Sequence, residues 1–279
     1  PPVPRWPSRD AIVVGAGLAG SAIALALARR GWRVELLERR AGPATEGSAQ
    51  PALADHLHVA PDDNPTARLT RAALLRSRAD VGGIRWRDDP AEFSGRLVLA
   101  GGAHDAARQA DLCARLDAPS DWIRALDADA ASAVAGLRIA HGALWMPMCG
   151  AADPHASVRR WIDAGGDALR VRAGVVVDRL ERDGTTWRAH GPGGAPIAQA
   201  PVVVLAAAGE SARLARCATL AMRRVRGQST MLAPGALGPL RAVLGGDAYA
   251  CALPAGGTLV GSTFDDGEDL APDPEADAS

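Results

Sequence analysis

Between a short apolar run, Ala11 to Val14, and a stretch of helical composition, Gly17 to Arg30, stands Gly15-Ala16-Gly17-Leu18-Ala19-Gly20. No other feature restricts the fold as tightly. Four apolar residues closing on a glycine fit a strand buried on both faces at the centre of a parallel sheet. Gly31 stands where a helix C-terminus favours a left-handed residue, and Arg33 to Glu38 reads as a second strand. Strand, glycine turn, helix and strand within about 30 residues make a βαβ unit, right-handed in nearly every case.

Each glycine has a physical task. Gly15 makes the tight turn, Gly17 lets backbone approach a pyrophosphate, and Gly20 lets helix and strand pack closely. The helix start, with Leu18 and Ala19 in its first turn, turns N–H groups and a positive dipole end toward that diphosphate. Glu38 ends the second strand, where a carboxylate accepts hydrogen bonds from both ribose hydroxyls. The same charge disfavours a 2′-phosphate in spite of Arg39 and Arg40 beside it. Strand, helix, second strand and acid stand in register, which makes a dinucleotide site the expectation over a purely structural turn. Two later segments are candidates to complete it. Val175 to Val177 is a small-apolar strand able to pack against adenine, though equally a plain buried strand; Ala206-Ala207-Ala208-Gly209 is a strand end that brings a second glycine toward the phosphates.

Composition narrows the chemistry. All 31 cationic side chains are arginine, so a Walker-type phosphate loop, a pyridoxal Schiff base and an amine nucleophile are excluded in their usual lysine form. A net charge of −1 gives no global attraction to nucleic acid or anionic membranes, and a polyanion must be met by a local arginine patch. Cys113, Cys149, Cys217 and Cys251 form no Cys-x-x-Cys pair, which predicts thiols in a reducing, cytoplasmic setting. No apolar stretch predicts a membrane span. His56 and His58, with Asp55, Asp62 and Asp63 nearby, lack a third ligand at fixed spacing, so no metal site is expected. The absence of a Gly-x-Ser-x-Gly elbow argues against serine hydrolysis.

The expected fold is α/β: an N-terminal Rossmann-type domain with an inserted α+β substrate domain. The first takes residues 10–80 and 165–220, the second 81–164 and 221–264. A proline-rich linker, 1–9, precedes them, and an acidic tail, 265–279, is expected to be disordered. Strands are expected at 84–86 and 96–100, helix over most of 106–135, and a strand–turn–strand over 170–190.

Several segments together carry a resemblance: Ala11 to Arg40, Asp62-Asp63-Asn64-Pro65-Thr66-Ala67-Arg68-Leu69-Thr70-Arg71-Ala72, the strand into Ala208-Gly209, Arg223-Arg224-Val225-Arg226-Gly227-Gln228, Gly246-Asp247-Ala248-Tyr249 and Gly261-Ser262-Thr263-Phe264-Asp265. They resemble the FAD-dependent oxidoreductase domain of the bifunctional tRNA 5-methylaminomethyl-2-thiouridine biosynthesis protein family (MnmC), within the D-amino-acid and glycine oxidase superfamily. The resemblance implies FAD as cofactor and tRNA as substrate. The C–N bond of a carboxymethylaminomethyl group on the wobble uridine is oxidised, and hydrolysis of the imine leaves an aminomethyl group. A methyltransferase using S-adenosylmethionine, fused or separate, is the implied partner; no membrane or DNA is involved. Such chemistry demands no catalytic base, and no catalytic residue is assigned. Arg226, Gln228 and Tyr249 are the substrate-pocket candidates, with Arg68 and Arg71 as further arginines for a carboxylate. Arginines between 68 and 87 and between 213 and 226 are candidates for tRNA phosphates.

Two departures stand out. Gly47 to His56 lacks the Ser-Gly-Asn and the glycines expected where backbone meets a flavin ring, and the chain is expected to stop short of a closing C-terminal segment. They keep two rivals open: a small-molecule amine or amino-acid oxidase of the same fold, and a degenerate, non-catalytic dinucleotide-binding module.

Overall fold

Ala11, Ile12, Val13 and Val14 are each no more than 6% exposed, as a strand covered on both faces must be. The computed structural model describes residues 6–78, 94–217, 219, 222–253 and 255–266. In chain order the first elements are β1 (Asp10–Val14), α1 (Leu18–Ala28), β2 (Arg33–Leu37), β3 (Leu53–Ala54), α2 (Pro65–Arg78), β4 (Ser94–Leu99), α3 (Ala103–Leu116) and β5 (Arg124–Leu126). There follow α4 (Ala128–Ala135), β6 (Ala143–Ala152), α5 (Pro154–Gly165), β7 (Leu169–Arg172), β8 (Arg179–Asp183), β9 (Thr186–His190), β10 (Pro196–Ala200) and β11 (Val202–Leu205). The last are α6 (Glu210–Ala215), β12 (Val225–Arg226), β13 (Ser229–Leu232), β14 (Val243–Gly245), β15 (Tyr249–Ala252), β16 (Thr258–Gly261) and β17 (Asp265–Asp266). The chain divides into two units, one of residues 1–50 and 153–224, the other of 51–152 and 225–279.

The first unit is built on a parallel sheet in the order β11-β1-β2-β7, with Ala11 opposite both Val34 and Val202. Period-two alternation sorts its side chains. Val13, Val34 and Leu36 face α1 and α5 through Ala24, Leu27 and Ile162. Ile12, Val14 and Leu37 face the antiparallel sheet β10-β9-β8 through Leu180, Ala189 and Ala200. Asp153 caps α5 by accepting from the His155 and Ala156 amides at 2.8 and 3.1 Å, with Pro154 at the first helical position. At the start of the described chain Trp6 packs edge-on against Trp32, ring centroids 6.2 Å apart.

The second unit carries a mixed sheet in the order β13-β16-β15-β14-β4-β6-β3, with β5 also paired to β6. Leu97 and Trp145 pack with Ala131 and Ala135 of α4. Leu144 and Met146 pack with Leu74 of α2 and Leu112 of α3.

The domain boundaries lie elsewhere than expected. Residues 51–78 belong to the second unit because β3 pairs with β6, Leu53 opposite Ala152, and α2 buries Leu74 in that unit's core. Residues 153–164 belong to the first unit, because α5 packs on the parallel sheet. The strand expected over 170–180 stops at Arg172. Gly174 turns the chain with φ +72°, and residues 175–178 run without a ladder partner, anchored by the Val175 amide on the Glu38 carbonyl at 2.8 Å. A short strand, β5, interrupts the stretch expected to be helical. The expected strand at 84–86 and the tail from 267 fall outside the described residues, while Asp265–Asp266 pairs with Val225–Arg226.

Candidate functional site

At the carboxyl ends of β1, β2 and β11 lies a cleft of about 580 Å³, at the point where the chain has placed successive strands on opposite sides of β1. Open α/β sheets bind ligands at such switch points, and the volume falls within the ordinary range for cofactor-sized pockets. Gly15 turns the chain with φ +101°, and a Cβ there would overlap the Ala206 carbonyl oxygen. A Cβ on Gly20 would overlap the Gly15 carbonyl, so Gly20 serves close packing behind the turn. Gly17, Leu18 and Ala19 line the cleft at the start of α1, and a Cβ on Gly17 would come within 2.9 Å of Ser48 Oγ.

Glu38 is only 8% exposed. Its Oε2 accepts from the Ala16 amide at 2.9 Å and its Oε1 from the Arg40 amide at 2.8 Å. The carboxylate thus holds the glycine turn against the end of β2, and each oxygen keeps lone-pair capacity for a ligand hydroxyl. Arg39 lines the same cleft but turns its guanidinium onto Glu46, with bonds of 3.0 and 2.7 Å. Arg40 reaches Glu46 as well, at 2.5 Å. The Arg39 bond holds the Glu46 carboxyl below the ordinary glutamate range, with burial opposing and Arg40 adding to the effect. Val177 is buried and lines the cleft, as does Ala208, a non-glycine residue at φ +45°. Gly209 does not line it: this glycine lies against the Arg224 guanidinium, which pairs with Glu210 at 2.8 Å.

Sequence reasoning missed Ser48. Its hydroxyl accepts from the Leu18 amide at 3.1 Å, filling the capping role that Gly17 has no side chain to supply. Ser48 falls in the segment whose departure from the Ser-Gly-Asn pattern stood out, and serine is a preferred capping residue; its distance from α1 in the chain concealed the contact.

The substrate-pocket candidates lie in the second unit. Arg226 donates to Gln228 Oε1 at 2.6 Å, the Gln228 amide to Thr263 Oγ1 at 3.1 Å. The Tyr249 hydroxyl is 3.1 Å from Ser229 Oγ, on the residue after Gln228, and burial raises the tyrosine pKa. The β13–β16–β15 ladder sets Ser229, Gly261 and Tyr249 in one row. Arg96, a residue not singled out, is buried on β4; it donates to the Asp55 carbonyl at 2.7 Å, lies over Gly245, and has an Nε without a hydrogen-bond partner among the described residues. Burial lowers its pKa and that of His56 beside it. Among the described residues no group of three or more His, Cys, Asp or Glu is placed to hold a metal.

Parallel sheet, glycine turn and buried acid define a dinucleotide-binding oxidoreductase fold. Residues 10–279 match the family model described as FAD dependent oxidoreductase, and the chain belongs to that family. Among curated proteins it is 44% identical over 264 residues to the tRNA 5-methylaminomethyl-2-thiouridine biosynthesis bifunctional protein MnmC of Burkholderia vietnamiensis, covering 92% of this chain and 40% of the relative. The protein of that name from Burkholderia multivorans is 42% identical, covering 95% and 41%. The chain spans about 40% of the length of these curated relatives. Glycine oxidase from Geobacillus kaustophilus shares the fold with TM-score 0.75 at 20% identity, over 96% of this chain and 75% of that one. L-alpha-glycerophosphate oxidase from Mycoplasma pneumoniae, with FAD bound, shares it with TM-score 0.75 at 19% identity, over 93% and 72%.

FAD is the family's cofactor, and the cleft fits it: a side-chain-free approach at Gly17, the start of α1, a buried carboxylate with spare lone pairs, and an apolar wall at Val177. When bound, FAD supplies the two-electron acceptor. Gly15, Gly17, Ser48 and Glu38 are the residues that would hold the dinucleotide. Among the described residues no helix is long and apolar enough to cross a membrane.

Proposed function

We propose that the chain is the oxidase half of a tRNA-modifying enzyme, acting on the secondary amine of a carboxymethylaminomethyl group at the wobble uridine. One observation carries this: 44% identity over 92% of the chain to proteins named for that pathway, combined with membership of the FAD dependent oxidoreductase family. Oxidation of the CH–NH unit of the carboxymethyl arm to an imine would draw on bound FAD as the two-electron acceptor. Water then adds to the imine, and the C–N bond breaks to leave the aminomethyl uridine and a two-carbon oxo acid. The chain's own work is to bind, orient and exclude water; among its cations only arginines are present to meet carboxylate and phosphate. The setting is the cytoplasm, and the partner an S-adenosylmethionine-dependent methyltransferase that consumes the exposed amine.

The test uses the purified 279-residue chain, FAD and tRNA carrying the carboxymethylaminomethyl group, with the nucleosides analysed by mass after digestion. Conversion to the aminomethyl nucleoside with release of the oxo acid is expected. Oxidation of free glycine or sarcosine with the tRNA left intact would instead establish a small-molecule oxidase.

A further inference from the structure

We propose that the outward face of α2 is a contact surface for the phosphate backbone of RNA, an inference that rests on the tRNA reading above. The helix Pro65–Arg78 holds four arginines and no acidic residue, in a chain whose net charge is −1. Other described helices do not concentrate charge in this way: α1 carries none, and α3 balances Arg108 and Arg115 with Asp105 and Asp111.

The packing fixes which side is outward. Ala67 and Leu74 are 2% and 5% exposed, Leu74 lying in the core with Ile123, Leu144 and Met146. Arg68, Ala72 and Arg76 follow one another at i, i+4 and i+8 on the opposite side, and all three are exposed. Arg68 and Arg76 therefore stand about 12 Å apart along the axis, with a small residue between them that lets a strand approach. Neither is ion-paired with another described residue. Arg71, by contrast, is forked onto Asp63 at 2.8 and 3.1 Å, and Asn64 caps the Ala67 amide at 3.0 Å, so the first turn is anchored and the face is presented on a fixed support.

Two exposed guanidiniums that make no ion pair with a carboxylate among the described residues complement phosphates. An anionic lipid surface is the poorer match. An interfacial helix inserts a broad apolar face with aromatic anchors, whereas α2 has no aromatic residue and its exposed leucines, Leu69 and Leu75, lie among the cations.

The experiment measures tRNA binding by fluorescence anisotropy over a range of salt for the parent chain, an Arg68→Ala/Arg76→Ala variant and an Arg108→Ala/Arg115→Ala control that removes the same charge from α3. The α2 variant is expected to bind tRNA on the order of 10-fold more weakly, with a salt slope shallower by about 1.4 to 1.8 for two lost phosphate contacts. The control should match the parent, Arg68→Lys/Arg76→Lys should retain binding, and flavin absorbance should persist in all. Equal affinity and slope for α2 variant and parent overturn the inference, as does an equal loss in the α3 control. A loss confined to binding of phosphatidylserine vesicles also overturns it. A parent chain that binds no tRNA at all removes the tRNA reading itself, a result distinct from each of these.

Discussion

Glu38 illustrates how one position can serve two tasks. Its motif position marked it as a ribose ligand, and the structure adds that its oxygens already tie the Ala16 and Arg40 amides together. Removing it is therefore expected to act twice, on the shape of the glycine turn and on the binding of a dinucleotide. A hydrogen bond to a charged group is worth about 1.5–3 kcal/mol, so Glu38→Ala should weaken FAD binding by roughly 10- to 100-fold. Glu38→Gln replaces one acceptor with an NH₂ that faces an amide donor, and should fall between Ala and the parent. Titration of the apoprotein with FAD, followed by quenching of flavin fluorescence, reads both. Parent-like affinity in Glu38→Ala would mean the carboxylate serves the turn alone. At this scale the sequence was informative wherever function requires a particular residue type at a fixed local spacing: Gly15, Gly17, Gly20 and Glu38 lie within one βαβ unit. Ser48 and Arg96 were hidden because nothing local to either residue announces its partner.

Elements were legible by the same rule. β1, α1 and β2 follow from an apolar run, a glycine turn and a C-terminal glycine, all short-range signals. The helix α5 was announced by Asp153-Pro154 and went unread, and the allotment of residues 51–78 depended on a two-residue strand, β3, whose partner on β6 lies far along the chain. Pairing across such a separation leaves no trace in periodicity. Two predictions belong here. Asp153 caps α5 with two amide bonds, so Asp153→Ala should cost about 1 kcal/mol, or about 2–4 °C in Tm, read by calorimetry. The second concerns the loop from Arg39 to Ser48, drawn together by Glu46 under both arginines. Its carboxyl is held below the ordinary value, so it stabilises the folded state at neutral pH; that contribution fades as pH falls from the unfolded pKa, about 4.3, through the lower folded one. Glu46→Gln should accordingly melt below the parent at pH 7, and the gap should close in acid. A gap independent of pH would show that the charge of Glu46 plays no part.

At the scale of the whole molecule, the side chains described around the cleft all belong to the first unit, which gathers residues 1–50 and 153–224 from two stretches of chain. A ligand held there clamps both stretches at once, since Glu38 and Ser48 come from one and Val177 and Ala208 from the other. Folding and FAD binding are then linked by mass action. At FAD one hundred times its Kd the native state gains about 2.7 kcal/mol. For a protein of this size each kcal/mol is worth about 2–4 °C, so saturating FAD should raise Tm by roughly 5–10 °C. Hydrogen exchange tells where the gain falls: amides of 11–18, 38–48 and 175–177 should slow together on adding FAD, because each borders the cleft or anchors a segment that does. Slowing in the first stretch alone would mean that Val175 to Val177 is only a buried support, the reading its composition left open. A Tm that ignores FAD would deny the cleft its cofactor and leave the glycine turn a purely structural feature.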